Sequence, residues 1–242
     1  MGKFQTIFKR FEKKYIVTLP AAREFIDSIS DYMIPDKYGK STICNIYFDT
    51  PDYRLIRHSM EKGGFKEKLR IRSYNCPTAE SNVFVELKKK FKGVVYKRRI
   101  NMSYSDAVRY LIHHKKPKNA DEQILKELDY FMDFYPRIRP AVALFYDRVA
   151  FYCKDDKNLR ITFDTNIRFR TKNLDISTGS EGFRVNEKNT AVMEIKCIGS
   201  MPLWLTAALS EHKIFPSSYS KYAKAYEIFS SATEEKEKAV TH

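Results

Sequence analysis

Long cationic side chains recur on alternate residues in several β-like segments of this chain, and that spacing constrains the fold more than any other feature. Lys66, Lys68, Arg70 and Arg72 run through FKEKLRIRS; Glu86 and Lys88 share a parity in VFVELKKK, Arg160 and Asp164 in LRITFD, and Glu194 and Lys196 in AVMEIK. A strand turns successive side chains to opposite faces, so each segment has one charged face and one apolar face of Leu, Ile, Val or Phe. Strands of this kind in one sheet concentrate positive charge on a single face. Such a face calls for a polyanion.

The formal net charge of +14 agrees with an anionic partner but does not choose among nucleic acid, membrane surface, nucleotide and phosphate chain. A length of 242 residues suits one substantial domain, and 43% hydrophobic with 14% aromatic residues is enough for a packed core. Cys44, Cys76, Cys153 and Cys197 are scattered, with no CxxC and no Cys/His set at zinc spacing. Three of them lie in or beside apolar strand-like segments, which fits small core residues in a reduced, cytoplasmic compartment. The opening MGKFQTIFKRF has no apolar signal region, and no window approaches the length of a membrane span. Peripheral attachment through a membrane partner stays open.

The period of the pattern divides the chain into elements. FKRFEKKYIV reads as a strand over about 8–17, with Arg10, Glu12 and Lys14 on one face. It leads into a helix in which Thr18 caps, Pro20 suits the first turn, and Ala22, Phe25, Ile29 and Met33 recur at helical spacing. Strands are expected near 42–49, 66–74, 82–91 and 94–102, then helices in DAVRYLIHH, with Ser105 a candidate cap, and in DEQILKELDYFMDF. Strands resume at about 140–152, 159–170 and 191–198, the last preceded by a polar loop. Two helical segments, PLWLTAALSEH and SKYAKAYEIF, close the fold, and 231–242 reads as a disordered tail. Residues 4–230 read as one domain.

About eight strands with few crossover helices predict a mainly antiparallel sheet whose apolar face lies under helices. The charged face is either open to solvent or, as a sheet of this length more naturally arranges, curled into a barrel whose basic residues face one another. Glu12, Glu86, Asp164 and Glu194 then offset part of the repulsion, and a bound polyphosphate offsets the rest.

These segments, in this order, resemble the triphosphate tunnel metalloenzymes (CYTH-like superfamily), and within them the VTC-type polyphosphate polymerase domain. The matching stretches are RFEKKYIV, IYFDTPDYRLI, KLRIRSY, VFVELKKK, FYDRVAFY, LRITFDTNIRF, AVMEIKCIG and SSYSKYAKAY, spread over about residues 10–226. Each is weak alone; the ordered set is specific. The resemblance implies an α+β fold with a closed eight-stranded antiparallel β-barrel, a polar basic lumen and helices outside. It implies transfer of the γ-phosphate of ATP onto inorganic polyphosphate. By analogy Lys14, Arg70, Arg72, Lys88, Arg148, Arg160 and Lys196 are the catalytic cations. Lys221, Ser220 and Arg10 bind phosphate, and Lys97 or Arg98 adds another cation, strand parity alone not saying which. Glu194, helped by Glu12, holds Mn²⁺ or Mg²⁺. No phosphate-sensing domain precedes the barrel and no membrane segment follows it, as they do in fungal relatives, so regulation and translocation are not implied.

The chemistry suits these residue types. Phosphoryl transfer asks a protein to position reactants and neutralise charge, and a phosphate-chain terminus is already ionised, so the lack of a Ser/His/Asp set, nucleophilic Cys motif or Walker-type loop is consistent. With 8 Gly in the chain, side chains rather than backbone must hold phosphate, Arg by bidentate grip and Lys as a point charge. Blander readings stand beside these: Glu86–Lys88 and Glu194–Lys196 as plain cross-strand ion pairs, Asp49 and Asp52 as turn and cap residues, Tyr222 and Tyr226 as packing. The nearest rival function is a tripolyphosphatase or nucleoside triphosphatase on the same fold. A non-catalytic RNA or polyanion binder is the rival from another class, disfavoured because the aromatics fall mainly on the apolar parity, away from the cations.

Overall fold

The computed structural model describes residues 10–61, 65–91, 94–117 and 121–240, with side chains from residue 11 to 232. The elements are β1 (Arg10–Thr18), α1 (Leu19–Ser28), β2 (Met33–Pro35), β3 (Ser41–Asp49), α2 (Arg54–Met60), β4 (Phe65–Tyr74), β5 (Asn82–Phe91), β6 (Val94–Ser103), α3 (Tyr104–His113) and α4 (Glu122–Phe134). They continue with β7 (Arg139–Cys153), β8 (Arg160–Arg170), β9 (Phe183–Arg184), β10 (Thr190–Ile198), α5 (Leu203–Glu211) and α6 (Lys221–Val240). The last helix runs to Val240 and takes in most of the stretch expected to be a tail. No described helix is long and apolar enough to cross a membrane.

Hydrogen-bonded neighbours follow the order β1-β10-β8-β7-β3-β4-β5-β6, with β2 on β7 and β9 on β8. The registered pairs are antiparallel, as expected. The expected closed barrel is corrected: the order ends at β1 and β6, and no ladder joins them among the described residues. Both terminal strands carry edge cations, Lys13 and Lys14 on one and Lys97, Arg98 and Arg99 on the other, a composition that discourages further pairing.

The chain divides into two compact units, with β7 and β8 contributing to each. The first contains the described residues up to Ser41 together with 147–166 and 186–219. Its sheet face of Tyr15, Val17, Ile161, Met193 and Ile195 is buried with Phe25 and Ile29 from the α1 region and Leu205 of α5. Thr18 caps α1 by accepting from the Ala21 amide at 3.3 Å, Pro20 sits in the first turn, and Ala22 and Phe25 turn inward. The cap and the inward Ala22 and Phe25 are as expected, whereas the helix stops at Ser28, with Ile29 as its C-cap and Met33 in β2.

The second unit contains 42–146, 167–185 and the chain from 220 onward. Ile46, Phe48, Leu69, Ile71, Val85 and Leu87, the apolar parity of β3, β4 and β5, are buried with Ala107, Tyr110 and Leu111 of α3 and Leu125, Leu128 and Phe131 of α4. Each buried Val, Leu, Ile or Phe side chain among them contributes about 1.5–3 kcal/mol. Asp121 caps α4 at 3.0 Å, whereas α3 is capped by Ser103, which accepts from Asp106 at 3.1 Å, and not by Ser105. β6 continues into α3 without a loop, so the cap falls on the last strand residue.

Asp49 ends β3 fully buried. Its carboxylate accepts from the amides of Thr50 (2.8 Å), Leu55 (2.8 Å) and Ile56 (3.0 Å), and from the Tyr222 hydroxyl at 3.0 Å. One side chain thus fixes the turn into α2 and ties α6 to β3. Burial pushes the Asp49 carboxyl up, while these hydrogen bonds oppose the shift. Replacing Asp49 with Ala leaves three amides and a phenol unsatisfied, and is expected to cost about 2–4 kcal/mol in denaturant unfolding. A loss below about 1 kcal/mol would mean that packing alone holds α2 and α6.

Candidate functional site

In the second unit the register aligns Tyr47 of β3, Arg70 of β4, Glu86 of β5 and Arg99 of β6 in one row across four strands. Two residues along, Lys68, Lys88 and Lys97 form a second row of the same parity. Glu86 is 1% exposed and receives Arg70 at 2.8 Å from Nε and 2.6 Å from Nη2, Lys97 at 2.8 Å and Arg99 at 2.7 Å from Nε, with Arg72 Nε at 3.9 Å. Burial alone would raise the Glu86 carboxyl, yet Arg70, Arg72 and Lys97 hold it far below the usual carboxylate range. Burial would lower the Arg70 guanidinium, but Tyr47 and Glu86 drive it above its ordinary value.

Further polar side chains complete this cluster. Arg70 Nη1 donates to the Tyr47 hydroxyl at 2.9 Å, and Arg72 donates to Asn45 at 3.2 Å and to the Tyr146 hydroxyl at 3.4 Å. Lys221, at the start of α6, lies 4.7 Å from the Tyr146 ring centroid, and Lys68 donates to the Ser220 hydroxyl at 3.0 Å. The Tyr222 ring stacks on Tyr47 at 4.6 Å while its hydroxyl bonds Asp49, so Ser220 and Lys221 are placed through their neighbour. Sequence parity left Lys97 and Arg98 as alternatives. The structure puts Lys97 in this cluster and Arg98 on the opposite sheet face, where its Nε donates to Glu127 of α4 at 2.8 Å.

The first unit holds its own cluster. Lys14 pairs with Glu194 across β1 and β10, and Glu12 with Lys196. The Lys14 ammonium lies 3.8 Å from both Glu12 and Glu194 and donates to the Tyr219 carbonyl at 2.9 Å; the Lys196 ammonium lies 3.7 Å from Glu12 and 3.5 Å from Glu194. Two carboxylates and two ammonium groups therefore alternate on one strand face. Arg148 grips the fully buried Asp164 in a two-pronged pair at 2.6 and 2.7 Å and reaches within 3.6 Å of Glu194. Removing either member of that buried pair leaves an uncompensated charge, a loss of about 3–5 kcal/mol. Arg160 packs over the Tyr152 ring at 4.9 Å and lies 3.8 Å from Asp36. The Thr162 hydroxyl, opposite Glu194 in the register, and Arg160 Nε are buried without a hydrogen-bond partner. Arg10 begins β1, and its side chain lies outside the described residues.

The expected cations thus fall into two groups, Arg70, Arg72, Lys88, Lys97, Lys221 with Ser220 in one unit, and Lys14, Arg148, Arg160, Lys196 with Glu12 and Glu194 in the other. Sequence reading missed Arg99, Tyr47 and Tyr146. Arg99 shares the parity of Lys97 in YKRRI, which was the available signal; the two tyrosines looked like packing residues. Among the described residues no group of three or more His, Cys, Asp and Glu side chains is arranged to hold a metal ion.

The fold is similar to that of solved structures. A protein of Bacillus halodurans provisionally assigned as an adenylate cyclase superposes with a TM-score of 0.51 at 16% identity, over 86% of this chain and 92% of its own. One of Vibrio parahaemolyticus, with the same provisional assignment, gives 0.51 at 12% identity over 92% and 99%. These likenesses are likenesses of fold. The chain belongs to the VTC domain family, whose model matches residues 9–230. Comparison with curated proteins finds no match.

Burial pushes the Tyr47 phenol up, but Arg70, Lys68 and Arg72 outweigh it and bring the group down to about 8 from 10.0. A depressed folded value favours the ionised form, so Tyr47 adds stability above the unfolded value that is lost as pH falls through about 8. Phenolate absorbance is expected to show one tyrosine ionising near pH 8, missing in Tyr47→Phe, and the stability advantage of the wild type over that variant should grow between pH 8 and 10. A spectrum with all tyrosines ionising at or above 10 would break the assignment.

Proposed function

We propose that the protein is a metal-dependent polyphosphate polymerase, an ATP–polyphosphate phosphotransferase. The terminal oxygen of a polyphosphate chain attacks the γ-phosphorus of ATP, the bond from that phosphorus to the bridging oxygen breaks, and ADP leaves. The observation that carries the reading is that a VTC-family chain gathers its strand cations in register around buried carboxylates, with no nucleophile set competing for the role. The nucleophile and leaving group are already anionic, so the demand on the protein is position and charge.

In this reading Lys14, Arg70, Arg72, Lys88, Arg148, Arg160 and Lys196 neutralise the reacting phosphates, and Arg10, Lys97, Ser220 and Lys221 hold the chain. Arg148 is kept in one orientation by Asp164, which gives it a fixed guanidinium edge. The donor set also fits a hard divalent cation. Glu194 and Glu12 face the same two lysines, and the unpartnered Thr162 hydroxyl lies opposite Glu194, a place for a water-rich ion held by one or two carboxylates. Glu194 and Glu12 would hold Mn²⁺ or Mg²⁺, which would supply positive charge against the charge developing on the transferred phosphoryl group. Lys14 and Lys196 would then exchange their carboxylate contacts for phosphate.

Incubation with ATP and Mn²⁺ followed by sizing of the product on a gel is expected to give polyphosphate chains. Free phosphate without chains would replace the polymerase reading with a triphosphatase, and no turnover would leave a polyanion-binding module. Arg70→Ala is expected to lower the rate about 10²–10³-fold, the loss typical of one preorganised donor to transferring charge. Glu194→Gln should weaken metal-dependent turnover and leave chain binding largely intact; equal loss of both would assign Glu194 a structural role.

A further inference from the structure

Glu86 is surrounded by more cations than a structural ion pair requires. Arg70, Lys97 and Arg99 each place a nitrogen within 2.9 Å of its oxygens, and Arg72 stands at 3.9 Å. Four positive charges on one negative leave a surplus of three (4 − 1) inside one patch of sheet. A carboxylate recruited for stability alone needs one partner, and each extra cation raises the mutual repulsion. The surplus makes sense where a polyanion supplies the missing charge.

The geometry separates the four by what each has left to offer. Arg70 gives Nε and Nη2 to Glu86 and Nη1 to Tyr47, so all three of its nitrogens are engaged. Arg99 gives Nε to Glu86 at 2.7 Å and brings Nη2 to the same oxygen, and among the described residues nothing bonds its Nη1. Its guanidinium lies over the Phe84 ring at 4.6 Å, and its side chain is 40% exposed. An arginine fixed on one edge by a buried carboxylate, supported on one face by a ring and open on the other edge is preorganised for a phosphate oxygen. Its neighbour Arg98, of the opposite parity, faces α4 and cannot share the task.

We propose that Arg99 is a further phosphate ligand of the chain, and that Glu86 is a positioning residue which holds Arg99, Arg70 and Lys97 in place. This rests on the phosphate-chain reading given above and adds to it a ligand and the carboxylate that aims it. The two possible roles of Glu86 predict opposite signs. If it only lowers the local charge, its loss makes the patch more positive and tightens a polyanion. If it aims the cations, its loss releases them and weakens the polyanion in spite of the added charge.

The test is calorimetric titration of the full chain with tripolyphosphate, alongside thermal unfolding of each variant. Wild type is expected to bind. Arg99→Gln should bind about tenfold more weakly, the scale of one charge-assisted hydrogen bond, while Arg98→Gln, which also removes one charge, stays within about twofold of wild type. Glu86→Gln should bind more weakly than wild type. Arg99→Lys keeps the charge but lacks the fork that grips Glu86, and should fall between Arg99→Gln and wild type; it decides the positioning role should Glu86→Gln not fold. Equal effects of Arg99→Gln and Arg98→Gln would remove Arg99 as a ligand. Tighter binding by Glu86→Gln, or full affinity in Arg99→Lys, would remove Glu86 as its positioner. A wild type that binds while the variants are unchanged overturns this inference and leaves the phosphate-chain reading standing; a wild type that does not bind tripolyphosphate overturns both.

Discussion

Strands that carry a cation at every second residue repel one another when they lie side by side, and carboxylates set between the charges offset that repulsion. Here those carboxylates are placed in register: Glu86 between Arg70 and Arg99 in one unit, Glu194 and Glu12 opposite Lys14 and Lys196 in the other. A one-residue slip in either ladder would bring these side chains to the apolar face and Leu69, Leu87 or Ile195 to the charged one. Register, burial and electrostatics therefore specify one another. The apolar parity under α3 and α4 fixes which residues must be inside, and the charged parity follows with no freedom left.

The buried carboxylates are not interchangeable. Asp164 is matched by Arg148 in a near-neutral pair, which suits a residue whose task is to orient one guanidinium. Glu86 is overmatched, and its unit keeps a net positive patch after all its bonds are made. Asp49 has no cation against it among its described hydrogen bonds and is satisfied by three amides and a phenol. One holds a cation, one gathers several, and one holds the backbone. The differences follow from how many donors each strand position brings within reach.

Much of this was legible in the sequence because it rests on period. Alternation of Lys or Arg with Leu, Ile and Val located β4, β5, β8 and β10 and told the two faces apart. Thr18 and Pro20 marked the start of α1. The matched order of VTC segments from RFEKKYIV to SSYSKYAKAY named the family that the domain model then covered. What did not show was anything set by neighbours distant in sequence. Parity places Arg99 beside Lys97, but only the pairing of β5 with β6 brings both onto Glu86. Asp49 and Asp52 read as turn formers, and Asp49 is one, yet its bond to Tyr222 spans most of the chain. Closure was misjudged for a related reason: strand count and alternation carry no information on whether the first and last strands meet.

Tyr222 shows how the DTPD segment and the C-terminal SKY segment depend on each other. The DTPD turn supplies Asp49, the SKY segment supplies Tyr222, and the hydrogen bond between them sets α6 against the end of β3. From that anchor Ser220 meets Lys68 and Lys221 meets the Tyr146 ring, while the Tyr222 ring covers Tyr47 beside Arg70. A buried contact between a phenol and a carboxylate thus determines where two polar residues of the candidate site sit. Phosphate groups are recognised by charge and direction together, and the helix that brings Lys221 must be fixed by bonds that phosphate itself does not perturb. The hydrogen bond from Tyr222 to Asp49, whose carboxylate is also held by three backbone amides, satisfies that condition.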